Sequence, residues 1–224
     1  MKKPVAVLAL DGPGGAGKGA VGRAVAARLG GWHYLDSGAL YRVLALAASR
    51  RRLDAADTAA ITAVAAALAV ELDGGVVRLD GEDAGAAIRT EEVGRYASAI
   101  AGAAPVRAAL IARQRAMRRP PGLVADGRDM GTVVFPDAQT KVFLTASLEE
   151  RARRRHKQLK EQGIDANLSI LTRELRERDG RDARRATAPL RPAADAVVVD
   201  TTAHPLAWVV ARVLALVAGG APVR

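Results

Sequence analysis

The chain has 224 residues, 50% hydrophobic and 26% charged, enough for one domain that buries roughly two-thirds of its unfolded surface but too few for two of ordinary size. It has no cysteine, which excludes a disulfide framework, a thiolate metal site and a cysteine nucleophile and points to the cytoplasm, while His33, His156 and His204 match no metal-ligand spacing. Lys and Arg number 34 against 24 Asp and Glu, a net charge of +10, so the expected partner is an anion: nucleotide, nucleic acid or acidic membrane surface.

Lys2 and Lys3 precede an apolar run, Val5 to Leu10, which Asp11 stops before it reaches the length of a signal peptide. The run reads instead as a strand buried on both faces of a parallel sheet. A glycine-rich turn, Asp11 to Gly17, leads into a helix over Lys18 to Leu29; Trp32 to Leu35 forms a second strand, and Gly38 to Ser49 a second helix. Thr58 to Ala69 is helical. Ala69 to Leu72 and Val76 to Leu79, joined by Asp73-Gly74-Gly75 and followed by Asp80-Gly81, predict a small β-rich insert. Thr90 caps a helix toward Gly102, and Pro105 to Met117 forms the next. Leu123 to Ala125 and Lys141 to Thr145 are further strands. Ser147 caps a long basic helix broken at Gly163, and Asn167 caps another that Pro189 and Pro192 end. Val197 to Val199 supplies a fifth strand. Pro205 to Ala218 forms a buried final helix, too short to span a membrane and interrupted by Arg212. Strand-then-helix order predicts an α/β fold, a five-stranded parallel sheet with helices on both faces.

The sharpest motif is Gly12-Pro13-Gly14-Gly15-Ala16-Gly17-Lys18, set between strand and helix. Such a loop turns backbone N–H groups toward an anion, the helix N-terminus adds its positive dipole, and the lysine reaches the outer phosphates. The residues that follow are Gly19 and Ala20, so the hydroxyl that commonly helps hold magnesium is absent. Magnesium is expected to be held through waters, phosphates and a carboxylate such as Asp126 at the end of a buried strand. Ser37 and Arg42, at the start of the second helix, can face a second anion, although Asp36 or Ser37 can equally be a simple helix cap. Arg128 and Asp129 lie where ligands of open parallel sheets bind, a position that favours a ligand role over a simple loop salt bridge. Arg178, Arg181, Asp182 and Arg185 share one helix face, as do Arg151, Arg154 and Arg155 on the preceding helix. The two form a basic hairpin suited to a lid over transferring phosphates, or a solvated charged face.

Several stretches run in family order over nearly the whole chain: Leu10-Asp11-Gly12-Pro13 through Lys18-Gly19, Leu35-Asp36-Ser37-Gly38-Ala39-Leu40-Tyr41-Arg42, Gly81-Glu82-Asp83 with Ile88-Arg89-Thr90, Val106-Arg107 through Arg113-Gln114-Arg115, Asp126-Gly127-Arg128-Asp129-Met130-Gly131-Thr132-Val133-Val134-Phe135-Pro136, and Glu177-Arg178-Asp179 through Arg185-Ala186 with Ala188-Pro189-Leu190. On these the chain resembles the bacterial cytidylate kinases, short nucleoside-monophosphate kinases of the P-loop class. The resemblance implies a single kinase domain over residues 1–224, with a monophosphate-binding insert at about 58–105 and a lid at about 151–187. It implies ATP on Gly12 to Ala20, with Arg151, Arg154 and Arg155 reaching it from the lid. Ser37, Arg42, Arg107, Arg128, Asp129, Asp182 and Arg185 are the implied CMP-side residues, and Lys18, Asp126, Arg128, Arg178 and Arg185 the implied catalytic set. Where the family commonly has Thr, this chain has Ala20. The expected activity is ATP-dependent, Mg²⁺-assisted phosphorylation of CMP and dCMP by a cytoplasmic monomer with no obligate nucleic acid and no membrane partner.

Other readings remain at this level: a P-loop kinase for UMP, AMP or shikimate, or a nucleotide-binding regulator that has lost turnover through Ala20. A basic nucleic-acid-binding protein is a third, although 3% aromatic content leaves few stacking platforms.

Overall fold

The computed structural model describes residues 4–73, 76–161 and 163–219. The first apolar run becomes β1 (Ala6–Asp11), followed by α1 (Lys18–Arg28), β2 (His33–Asp36) and α2 (Ser37–Arg50). α3 (Thr58–Ala66) leads into an antiparallel sheet of β3 (Val70–Asp73), β4 (Val76–Leu79) and β5 (Glu82–Asp83), and then come α4 (Glu91–Ile100) and α5 (Ala104–Ala116). The chain returns through β6 (Gly122–Asp126) and β7 (Thr140–Thr145) to a helical hairpin, α6 (Leu148–Glu161) and α7 (Leu168–Ala183), and finishes with β8 (Val197–Asp200) and α8 (Leu206–Val217).

The main sheet has five strands in the order β2-β6-β1-β7-β8, each neighbouring pair parallel. β1 is central, and its alternate residues serve different layers. Leu8 and Leu10 pack with Val21 and Val25 of α1 and Val209, Val210 and Val213 of α8. Val7 and Ala9 face the opposite side with Leu35, Leu123 and Phe135, against which Ile111 of α5 packs. Burial on both sides explains why the strand reads as an unbroken apolar run. A third apolar cluster joins the insert to the body through Val43 and Leu44 of α2, Ile61 of α3, Leu79 of β4 and Leu110 of α5.

Local capping follows the sequence closely. Thr90 accepts from Val93 N–H (3.3 Å), Ser147 from Glu150 N–H (3.2 Å) and Asn167 from Ser169 N–H (2.9 Å). At α2 the cap is Asp36, which accepts from Ala39 N–H at 2.9 Å and leaves Ser37 as the first helical residue.

Four features differ from expectation. α3 stops at Ala66 rather than Ala69, because the chain turns there to enter β3. α7 ends at Ala183, ahead of both prolines, where Leu190 N–H donates to Asp182 C=O (2.9 Å) and folds the chain back. α8 buries a single face, leaving Leu206 48% and Trp208 41% exposed. Finally, Met130–Val134 winds into one π-helical turn, which nothing in the hydrophobic periodicity predicts. The Gly74-Gly75 part of the insert turn lies outside the described residues.

The π turn has an identifiable anchor. Asp11, buried at the end of β1, accepts from Met130 N–H through Oδ1 and from Gly131 N–H through Oδ2, both at 2.8 Å. Burial pushes its carboxyl up to about 6 against the pull of those two N–H groups. Asp11→Ala is expected to lower the unfolding free energy by about 2–4 kcal/mol, measured by urea denaturation. Since the folded pKa lies above the ordinary 3.8, folding favours the protonated carboxyl, and the advantage of wild type over this variant narrows as pH rises from about 4 to about 6.

Candidate active site

The loop from Gly12 to Gly17 leaves the carboxyl end of β1 and turns into α1. A Cβ on Gly12, whose φ is +146°, would lie 2.0 Å from Leu144 C=O of β7, so only glycine allows the loop to pass. Gly17 takes φ +88° as it caps α1, a conformation that favours glycine. Lys18, the first residue of α1, is buried and curls back, its Nζ donating to Gly12 C=O and Pro13 C=O, both at 2.9 Å. Burial pushes the ammonium pKa down and Arg128 lowers it further; Asp126 opposes the fall. The lysine thus rests on carbonyls of the loop whose anion it would contact.

Beside it, Asp126 closes β6 in register with Asp36 of β2. Tyr34 donates its hydroxyl to Asp126 Oδ2 at 2.9 Å, and its ring fills the space that Gly22 leaves, where a Cβ would approach within 2.6 Å. Burial raises the Asp126 carboxyl, and Lys18 pulls it back. Among the described residues no group of three or more His, Asp and Glu side chains is placed to hold a metal ion. Asp126 is the buried carboxylate beside the loop.

Next to the loop opens a small cleft between α2, α4, α7 and the stretch after β6. Asp182 of α7, fully buried, is its hub: Oδ2 accepts from Arg128 Nε at 3.1 Å and stands 4.0 Å from Arg178 Nε, while Oδ1 pairs with Arg185. Burial works against its charge, yet Arg128, Arg185 and Arg178 together hold its carboxyl below the usual range. Arg107 pairs with Asp129, both buried, and donates to Ala101 C=O at 3.1 Å. Ser37 is buried in the wall. Arg42 also lines the cleft, held across to α4 by donation to Ile88 C=O (2.7 Å) and Thr90 C=O (3.2 Å). Arg178 drops to about 10, first through burial and then through Arg128.

Loop and cleft meet at Gly14. A Cβ there would find Arg128 Nη2 at 3.7 Å and Arg178 Cδ at 3.9 Å. Arg128, Arg178 and Arg185 line the cleft, and Lys18 and Asp126 lie buried beside the loop within charge range of Arg128.

The three arginines of α6 divide. Arg151 is buried, donating to Ala146 C=O and Gly14 C=O (both 3.0 Å) and pairing with Asp179 of α7 at 2.6 Å, so it braces the hairpin against the loop. Arg154 donates to Thr201 Oγ1 and C=O (2.9 and 2.6 Å), with Nη1 3.8 Å from the Cβ position of Gly17. Arg155 turns away from the loop to pair with Glu91 of α4. Arg181, also of the hairpin, donates to Ser98 Oγ at 3.4 Å.

Asp11, Tyr34, Tyr41 and Ser98 belong to these surroundings and were not singled out as site residues from the sequence. Tyr41 and Ser98 line the cleft; the first lies within the Leu35 to Arg42 stretch beside Arg42, and nothing local signals the second.

A phosphate-binding loop on the central strand of a parallel sheet, opening onto an arginine-ringed cleft, defines a P-loop kinase. The family model of cytidylate kinase matches residues 8–219, and the chain belongs to that family. A cytidylate kinase of Bordetella bronchiseptica is 60% identical over 208 residues, 93% of each chain. One from Paraburkholderia phymatum is 59% identical over 197 residues, 88% of this chain and 86% of that one. One from Burkholderia thailandensis is 56% identical over 212 residues, 95% and 92% respectively.

Asp182→Ala leaves the arginines facing one another. It is expected to lower stability by about 2–3 kcal/mol, less than the full cost of breaking a buried pair because Arg128 and Arg178 are partly exposed. The carboxyl of Asp182 is held low, so its contribution is present above the ordinary carboxylate pKa and lost as pH falls below it. Denaturant titrations of both proteins from neutral to acidic pH check the magnitude and its direction.

Proposed function

We propose that the chain transfers the terminal phosphoryl group of ATP to CMP and dCMP, yielding ADP and CDP or dCDP. The observation that carries this reading is the junction at Gly14, where Arg128 and Arg178 stand between the donor loop and the acceptor cleft. ATP lies with its phosphates on Gly12 to Ala20, and Lys18 exchanges the carbonyls of Gly12 and Pro13 for phosphate oxygens. The acceptor lies in the cleft among Ser37, Arg42, Arg107, Arg128, Asp129, Asp182 and Arg185. An oxygen of its phosphate bonds to the γ-phosphorus as the bond to the bridging oxygen breaks, and that oxygen leaves with the electron pair as part of ADP. The attacking oxygen is already largely ionised near neutral pH, so alignment and charge compensation are the main requirements. Lys18, Arg128, Arg178 and Arg185 supply the compensation.

Magnesium, when bound with ATP, would neutralise phosphate charge, and Asp126 is the residue that would hold it through water. The insert at about 58–105 and the hairpin at about 151–187 close over the substrates and keep water from the γ-phosphate. In this reading Arg151 sets the hairpin against the loop, Arg154 faces the ATP, and Arg155 follows once its pair with Glu91 opens. The enzyme works as a cytoplasmic monomer on small-molecule substrates.

An ADP-release assay with Mg-ATP and CMP, dCMP, UMP, AMP, GMP or no acceptor is expected to show turnover mainly with CMP and dCMP. Silence with both sinks the reading. Lys18→Met is expected to lower turnover by about 10²–10³-fold while leaving the ligand-free melting temperature unchanged or higher, because it removes a buried ammonium whose charged form is disfavoured. For the same reason, ATP binding near pH 8 is expected to take up protons as phosphate restores the charge on Lys18. Calorimetry in two buffers of different ionisation heat measures that uptake.

A further inference from the structure

Thr201, the first residue after β8, is only 2% exposed and bonds to three separate parts of the molecule. Its N–H donates to Thr145 C=O at the end of β7 (2.8 Å), which roots it in the sheet. Its Oγ1 lies 3.3 Å from Ala16 C=O of the phosphate loop and 2.9 Å from Arg154 Nη1 of α6, and its C=O accepts from Arg154 Nη2 at 2.6 Å. A hydroxyl carries one hydrogen, and a guanidinium accepts none. The direction of the chain is therefore fixed: Thr201 accepts from Arg154 and spends its hydrogen on the loop.

The consequence falls on Arg154. Its Nε donates to Glu150 Oε1 of the same helix at 2.8 Å, and its two Nη atoms each give one hydrogen to Thr201. Paired bonds to a single residue set the plane of the guanidinium as well as its place. One hydrogen on each Nη is left without a partner among the described residues, and Nη1 stands 3.8 Å from the Cβ position of Gly17, where the loop turns into α1. Backbone N–H groups at such a turn face an anion. A long, flexible side chain that is to meet that anion loses rotamer freedom on binding. Here the loss is taken during folding, before a nucleotide arrives.

We propose that Thr201 is a positioning residue of the donor site: its hydroxyl joins the phosphate loop to α6 and holds Arg154 aimed at the phosphates of ATP. Thr201 acts through Arg154, so the inference rests on the reading in which Arg154 faces the ATP.

Thr201→Val removes the hydroxyl and keeps the shape. In calorimetric titrations it is expected to bind adenylyl imidodiphosphate, an ATP analogue that keeps its terminal phosphate, about 5-fold more weakly than wild type. CMP affinity stays at the wild-type value, which also shows that the variant is folded; Thr201→Ala repeats the test with less bulk if the valine is not accommodated. Thr201→Ser restores the hydroxyl and is expected to recover wild-type affinity, whereas Thr201→Val adds nothing in protein that already carries Arg154→Ala. Unchanged affinity for the analogue in Thr201→Val overturns the inference. So does a further 5-fold loss on the Arg154→Ala background, since the hydroxyl would then act through the loop alone. If Arg154→Ala binds the analogue as wild type does, Arg154 does not face the ATP and the inference falls, while turnover of CMP by wild type keeps the proposed activity standing. Wild type that binds the analogue but turns over neither CMP nor dCMP sinks the proposed activity and leaves the role of Thr201 to be decided by the titrations.

Discussion

Positive charge crowded into a small, partly dry space is the constraint on which the rest of the molecule depends. Arg107, Arg128, Arg178 and Arg185 line one cleft with Lys18 buried within charge range of Arg128 and Arg178, and the fold sets the carboxylates of Asp11, Asp126, Asp129 and Asp182 among them. The compensation is incomplete. Burial and the neighbouring cations still depress Lys18, Arg178 and Arg185. A site left with such a surplus is preorganised for a polyanion, because the charges are already in place when it arrives.

The sheet makes this crowding possible. β1 lies between β6 and β7, so its carboxyl end delivers the phosphate loop beside the Asp126 to Asp129 stretch that follows β6. Asp11 then converts adjacency into a fixed distance by gripping the π turn. On the far side, Arg151 ties the α6–α7 hairpin to Gly14, while Arg155 and Arg95 reach from and to that hairpin across to α4, pairing with Glu91 and Glu174. The donor loop, the acceptor stretch and the hairpin are thereby connected by side chains rather than by backbone alone.

Much of this was legible in the sequence, for a local reason. Buried parallel strands read as apolar runs, caps read from Thr90, Ser147 and Asn167, and the glycine loop carries its own geometry. Of the arginine stripe expected from helical spacing, Arg178 and Arg185 meet Asp182, Arg185 from just past the end of α7, while Arg181 turns to Ser98. What stayed hidden was pairing across long separations. Asp11 to Met130, Tyr34 to Asp126 and Arg155 to Glu91 join residues 119, 92 and 64 positions apart. Such contacts follow from strand order and helix docking, which hydrophobic periodicity does not encode. The early end of α7 is instead local: the chain turns after Ala183 so that Leu190 N–H donates back to Asp182 C=O.

Asp182 gives the cleft a character beyond charge balance. As a fully buried carboxylate shared by Arg128, Arg185 and Arg178, it acts as a resident counter-ion, and the cleft behaves like an ion exchanger loaded before use. An incoming anion competes with a tethered rival whose effective concentration is high. Whatever anion enters must offer the arginines at least what it takes from Asp182, so the same aspartate that steadies them sets the terms of exchange.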